Sequence, residues 1–379
     1  MIDFSNVKNI AIPEGEVFDV ARGDEILWRK QWYKTELEYL ESTGTQYIKT
    51  SVKPEFVVEA TLQGVKTSSS SSIVLSIGGA SSAGDWFGFA STWRLGGGVN
   101  FTNKYNEKIV VSCSWTSKGI TATIGDETKS REGTVSGYLL VGSPSPTNYP
   151  SFCRIFGFKI RKNNDYVHDF IPVLDWNDRP CMYDKITNEL FYNAGTGEFD
   201  YPRYKKELTY IESTGKQYIK TGITTTGNTR VVAQMMALEK GAAGRYVYLF
   251  SSKTNLFSVR MHWSNGRPYN TYGSTDSIIF YDGVVGDVLN INFGSGTATI
   301  NTYKKDLPYV EFTDGELQIF ARNSGYNSKA RLWAFQVYDG ETLVRDFIPV
   351  LDLDNVPCLY DKVSKELFYN QGTGEFVYE

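Results

Sequence analysis

Two stretches of the chain, RIFGFKI at 154–160 and RLWAFQV at 331–337, alternate apolar and other residues in part. A period of two predicts strands, with Ile155, Gly157 and Lys159 on one face of the first and Phe156, Phe158 and Ile160 on the other. Each stretch runs on to a turn, Asn163-Asn164 in one and Asp339-Gly340 in the other, and then to DFIPV, so each reads as a β-hairpin. Further short apolar segments follow at roughly the 8–12-residue spacing of sandwiches and barrels, divided by Gly-rich turns. No helical stripe of 3.6-residue period extends beyond about two turns. The pattern predicts an all-β chain built as a β-sandwich.

The pattern occurs twice. YKTELEYLESTGTQYIKT at 33–50 matches 204–221 at 14 of 18 positions, and DFIPVLDWNDRPCMYDKITNELFYNAGTGEF at 169–199 matches 346–376 at 22 of 31. The offset is 171 at the opening and 177 at the close, so two tandem domains follow, 33–203 and 204–379. Between these ends the copies have drifted. FGFASTW at 87–93 is aligned with FSVRMHW at 257–263, which pairs Phe87 with Phe257 and Trp93 with Trp263; TATI at 121–124 is aligned with 297–300. The six extra residues of the second copy are then expected between Trp263 and Thr297, in SNGRPYNTYGST.

The closing motif reads as a domain closure. Phe170, Ile171 and Val173 line one strand, Tyr183-Asp184-Lys185 turns, and Leu190 with Tyr192 forms another short strand. The Gly195-Thr196-Gly197 turn then folds Phe199 back onto the sandwich. The matched Asp175 and Asp352 sit beside a Pro-Cys turn, where a carboxylate caps backbone amides.

Composition agrees with β structure: 25 Tyr, 22 Phe and 8 Trp against 12 Pro. A length of 379 residues allows two or so domains, each able to bury a core. A net charge of −4 removes the broad basic footprint that nucleic acid or anionic lipid would need. With no signal-peptide pattern and no run of about 18 apolar residues, synthesis in the cytosol without general secretory export, and no membrane insertion, is expected. Cys113, Cys153, Cys181 and Cys358 show no metal-ligand spacing and read as reduced core thiols.

The opening and closing motifs resemble the concanavalin A-like (LamG-like jelly-roll) domains of tail and other minor structural proteins in phages and prophages. The resemblance covers nearly all of 33–379. It implies two tandem jelly-roll sandwiches on a virion surface, often in receptor binding. Residues 1–32 stand outside the repeat. There a strand, a Pro13-Glu14-Gly15 turn, a strand, an Arg22-Gly23-Asp24 turn and a strand make a β-meander too small to be stable alone. It resembles short modules of phage tail proteins, which implies attachment to other virion proteins. The Arg22-Gly23-Asp24 triplet reads as a hairpin tip.

Catalysis finds little support, and the chain is expected not to be an enzyme. The paired carboxylates of related glucanases, spaced ExDxxE, are absent, and the acidic groupings DETKSRE at 126–132 and DLDN at 352–355 read as solvated loops. His168, replaced by Arg345 in the second copy, suits a solvent-facing strand position, and neither it nor His262 has a nucleophile at a recognisable spacing. LGGGVN and FGSGTA read as hairpin turns. No cofactor is implied. Lectin-like sandwiches can carry calcium in loops, but no DxDxDG-type run occurs and calcium is left unassigned.

Binding chemistry is better represented. A pyranose stacks its apolar face on an aromatic ring while Asn, Asp or Arg takes its hydroxyls. Trp86, Trp93 and Arg94 fall around one expected loop; Trp263, Asn265, Arg267, Tyr269 and Tyr272 fall around another. The shared tryptophans Trp93 and Trp263 also read as core aromatics at a strand end, and Trp115 as core or sheet surface. Two functions stay open: an adhesin binding a bacterial surface glycan, or a structural spacer or decoration with no ligand. Either fits a homo-oligomer, with a trimer preferred.

Overall fold

In the long strands the sequence alternation becomes alternation of burial. Phe56–Gly64 and Thr229–Ala237 each bury every second side chain from end to end. The computed structural model describes residues 10–12, 15–17, 19–22, 25–66, 72–77, 86–133, 135–142, 150–273, 275–279, 282–323 and 326–379. Among them there is no α-helix, and the chain divides into two compact units, 1–202 and 203–379.

Both units follow one plan. In the first, a large antiparallel sheet runs Glu127–Glu132, Gly119–Ile124, Ile109–Thr116, Phe56–Gly64, Ser151–Lys162, Asp165–Leu174, Pro180–Asp184, Glu189–Phe191. A smaller sheet runs Val99–Lys104, Thr92–Leu95, Trp86–Phe89, Ser72–Ile77, Leu139–Gly142, Tyr47–Lys49. The second unit repeats both orders, with Thr229–Ala237 and Lys329–Asp339 at the centre of its large sheet and Ile219–Thr226, Thr313–Ile319, Val247–Ser251, Phe257–Met261, Pro268–Tyr272 and Thr275–Ile279 in its smaller one. Apolar inner faces meet between the sheets: Val58, Ala60, Leu62, Val111 and Trp115 against Ile48, Leu75, Phe87 and Trp93 in the first unit. The chain is therefore all-β, two tandem jelly-roll sandwiches. The four cysteines are free and buried.

The repeated motifs are stitched to one another. Tyr47 N donates to Asn193 Oδ1 at 3.0 Å, Ala194 N to Tyr47 O, Thr45 Oγ1 to Thr196 O and Asn193 Nδ2 to Gly197 O. Tyr218, Asn370, Gln371 and Gly374 repeat three of these contacts. Gln46, 3% exposed, takes the Thr43 amide on its Oε1, as Gln217 takes that of Thr214. Phe199 and Phe376 are buried behind the turn. A Cβ on Gly195 would lie 2.0 Å from Thr45 O, and one on Gly372 1.9 Å from Lys216 O. Gly195→Ala must therefore push two backbone segments apart, and we expect it to cost about 1–3 kcal/mol in urea unfolding of the full chain. An unchanged midpoint would show that the turn yields.

Two buried carboxylates anchor the same region. Asp175 accepts from Asn177 N, Arg179 N and Tyr192 Oη, and Asp352 from Asp354 N, Val356 N and Tyr369 Oη, so both cap backbone amides. Asp184, fully buried, accepts from Asp169 N, Ile186 N, Thr187 Oγ1 and His168 Nδ1. Asp361 stands in its place in the second unit, with Arg345 Nη1 at 3.6 Å. His168 and Arg345 are consequently not solvent-facing. They exchange because a side-chain nitrogen of either can face the same buried carboxylate.

Several expectations need correction. A β-bulge between Ile155 and Gly157 reverses the faces of RIFGFKI, so Ile155 joins Phe158 and Ile160 inside while Phe156 packs outside on Tyr39. Tyr183 and Asp184 belong to strand Pro180–Asp184, and the turn begins at Lys185. DETKSRE is largely the edge strand Glu127–Glu132 rather than a loop, since all six of these residues pair with Gly119–Ile124 in antiparallel register. Trp115 is core. Asn163 and Asn164, at φ 48° and 72°, do make the expected two-residue hairpin turn.

Residues 10–29 form two separate hairpins, Ile10–Ile12 with Gly15–Val17 and Asp19–Arg22 with Glu25–Arg29, rather than one meander. Only Phe18 separates the middle strands, too short a link for antiparallel pairing, which takes a two-residue loop at least. Pro13, Glu14, Gly23 and Asp24 lie outside the described residues.

Candidate functional site

The hairpin of Phe257–Met261 and Pro268–Tyr272 sets the candidate site of the second unit. Register pairs Arg260 with Tyr269 and Ser258 with Thr271, so these four side chains share the outer face of the smaller sheet. Arg260 is nevertheless only 4% exposed. Its Nη1 donates to Ser258 Oγ and Thr271 Oγ1 at 2.7 Å and to Asn255 Oδ1 at 3.1 Å. Three rings enclose it, with Tyr246, Tyr269 and Tyr248 centred 4.6, 5.2 and 5.8 Å from the guanidinium carbon. Burial draws its pKa below the ordinary arginine value, and the neighbouring Tyr248, Tyr246 and Tyr269 oppose that shift. A desolvated cation over tyrosine faces contributes about 2 kcal/mol, so Arg260 fixes the rings it touches.

Those rings continue to the surface. Tyr246 stacks on Tyr269 at 5.9 Å and 23°. His262 packs against both, and Trp263 stacks on His262 at 5.5 Å and 25°. All four are half-buried, held at one edge and open on another. The loop 262–267 is fastened by His262 N to Arg267 O and by Ser264, whose amide and hydroxyl both reach His262 Nδ1. Because an amide can only donate, that nitrogen is the acceptor of the ring. Exposed Asn265 holds the Arg267 amide through its Oδ1, and Arg267 is half-buried. The structure thus brings Trp263, Asn265, Arg267 and Tyr269 together and adds Tyr246, Arg260 and His262.

Tyr272 is not part of this surface. Pro268, Asn270 and Tyr272 point inward by the period of two, and Tyr272 is 3% exposed among Phe257, Phe293 and Phe312, its hydroxyl donating to Gly227 O. The first-unit candidates part in the same way. Trp93 is fully buried between Phe87, stacked at 5.3 Å, and Phe89 at 5.1 Å. Trp86 packs with Ile73 and is also buried, covered by the Arg94 guanidinium at 5.6 Å. Neither tryptophan offers a ring face to solvent.

Register also corrects the pairing of the two tryptophans. Leu75 opposes Phe87 as Phe250 opposes Val259, each beside a bulge, so Trp93, opposite Phe89, corresponds to Pro268, opposite Met261. Trp263 lies in a connecting loop that is longer than the one at 90–91. By the same register Gly88 stands where the second unit has Arg260, and the first unit cannot build the enclosed cation. The signal for Arg260 was present in SVRMH, whose alternation puts arginine on the polar face with Ser258 and His262.

Among the described residues no group of three or more His, Cys, Asp or Glu is placed to hold a metal ion. Among the same residues no helix is long and apolar enough to cross a membrane.

No family model and no curated protein sequence matches the chain. Among solved structures it is similar to the mouse laminin alpha1 chain, domains LG4-5, at 10% identity over 97% of this chain and 98% of that one, with a TM-score of 0.32.

Proposed function

We propose that this chain is a phage virion surface protein of the receptor-binding type, non-enzymatic, whose second sandwich binds a bacterial surface glycan. The aromatic platform of Tyr246, His262, Trp263 and Tyr269 over buried Arg260 is the observation that supports this reading. Stacked, half-open rings beside exposed Asn265 and half-buried Arg267 match what a sugar ring and its hydroxyls require. The hairpins of 10–29 serve attachment to other virion proteins, and the protein works as a homo-oligomer.

Titrating the full chain with cell-wall polysaccharides while following tryptophan fluorescence tests the reading. Trp263→Ala and Tyr269→Ala should each weaken saturable binding roughly tenfold to a hundredfold, or about 1.4–2.8 kcal/mol, with thermal unfolding little changed. A flat titration across candidate hosts would instead favour a non-binding spacer. The burial of Trp86 and Trp93 leaves the first unit without an aromatic platform of this kind.

A further inference from the structure

The first unit carries a groove on the open face of its large sheet, about 350 Å³ in volume. Its rim is formed by Glu59, Lys159, Asp169 and Lys185, with Val110 and Ile171 as apolar floor. The bulge at Gly157 opens it. Gly157 sits at φ +151°, and a Cβ there would meet Phe170 O at 2.9 Å, so the floor is bare backbone at its centre. The second unit has Ala334 at this place in the ladder, Val232 for Glu59, Gln336 for Lys159 and Asn290 for Val110. There Gln234 donates to Asn290 in place of Thr61 and Val110, and Gln336 donates to Asp346 where the first unit pairs Lys159 with Asp169.

Three of the four rim charges have an opposite charge beside them. Lys159 Nζ lies 3.2 Å from Asp169 Oδ2, Arg161 Nη2 lies 3.7 Å from Glu59 Oε1, and Tyr166 Oη donates to Glu59 Oε2. With two carboxylates and two ammonium groups on the rim, a strongly charged ligand is disfavoured. A half-exposed ion pair of this kind contributes little to stability, so it can open toward a ligand at small cost. Carboxylates and ammonium groups set around Val110, 68% exposed, match vicinal hydroxyls about the C–H face of a sugar.

We propose that this groove is a second saccharide subsite, distinct from the aromatic platform, that takes a short neutral, hydroxyl-rich glycan. It rests on the glycan-binding reading above, but on different residues in a different unit. The full chain carrying Trp263→Ala and Tyr269→Ala is examined by saturation-transfer NMR with a panel of neutral oligosaccharides and their uronate-bearing counterparts. The platform-deficient chain should still bind a neutral member, equally at low and high salt, and adding Val110→Glu or Glu59→Val should weaken that binding at least tenfold. Both positions face outward, so circular dichroism should show the fold intact. If the unsubstituted chain binds but the platform-deficient chain does not, the groove proposal fails and the platform reading survives. If the platform substitutions change nothing while Val110→Glu abolishes binding, the groove stands and the platform falls. Binding that Val110→Glu and Glu59→Val leave unchanged, binding that needs the uronate, or binding that collapses in salt overturns the proposal.

Discussion

Asp184→Ala should destabilise the first unit by about 3–5 kcal/mol, because several buried donors lose their acceptor at about 1–3 kcal/mol each. The carboxylate is fully buried and serves four donors at once. Alanine would leave the Asp169 and Ile186 amides, the Thr187 hydroxyl and the His168 ring without an acceptor. Differential scanning calorimetry of the full chain supplies its own control, because the transition of the second unit, anchored by Asp361, should stay in place. A first-unit transition that does not move would mean that water replaces the carboxylate at no cost. The same residue predicts an acid limit. Burial raises the Asp184 pKa, but the hydrogen bonds from Asp169, His168, Thr187 and Ile186 outweigh it and hold the group below its ordinary value. A carboxylate depressed in the native state contributes its full stabilisation above the unfolded pKa of about 3.9, and that stabilisation disappears as pH falls through the native value. Asp175 and Asp314 are depressed in the same direction. Stability should therefore fall below about pH 4, and Asp184→Ala should flatten part of that fall.

Trp93→Ala is expected to cost the first unit about 3–5 kcal/mol through the cavity it leaves between Phe87 and Phe89. Any loss of glycan binding should follow the loss of folded protein rather than precede it. Trp263→Ala, half-exposed in a loop, should behave in the opposite way, binding falling while the unfolding curve stays. Equilibrium unfolding in urea for both variants beside the polysaccharide titration separates the two roles. Should Trp93→Ala unfold like the unsubstituted chain and lose binding, the assignment of Trp93 to the core would be wrong.

What could be read from the letters follows from which residues have specific partners. The opening and closing motifs stand out as repeats because Gln46, Asn193, Gly195 and their counterparts each meet a named backbone atom, and few other side chains fit there. The middle of each unit is held by apolar faces that many residues satisfy, so its alignment rested on shared tryptophans. Identical letters misled there: Trp93 is a core ring and Trp263 a loop ring, and only ladder register tells them apart. Periodicity fails at the bulge of Ile155 and Gly157, since one extra residue exchanges inside for outside. Tyr272 was grouped with Tyr269 by proximity, although three positions along a strand put them on opposite faces. Arg260 was missed because burial of an arginine depends on Tyr246 and Tyr248, which come from another strand and its lead-in.

Because the opening and closing segments of each unit lie against one another, each sandwich enters and leaves the chain at one edge. Glu41 exchanges backbone hydrogen bonds with Asp200, as Thr209 and Tyr210 do with Glu379. A module whose ends meet can be copied in series, or set into a loop of another protein, without rerouting a strand. Duplication then adds length while leaving each core intact, and the outer faces can diverge separately, one toward an enclosed cation and the other toward an open groove.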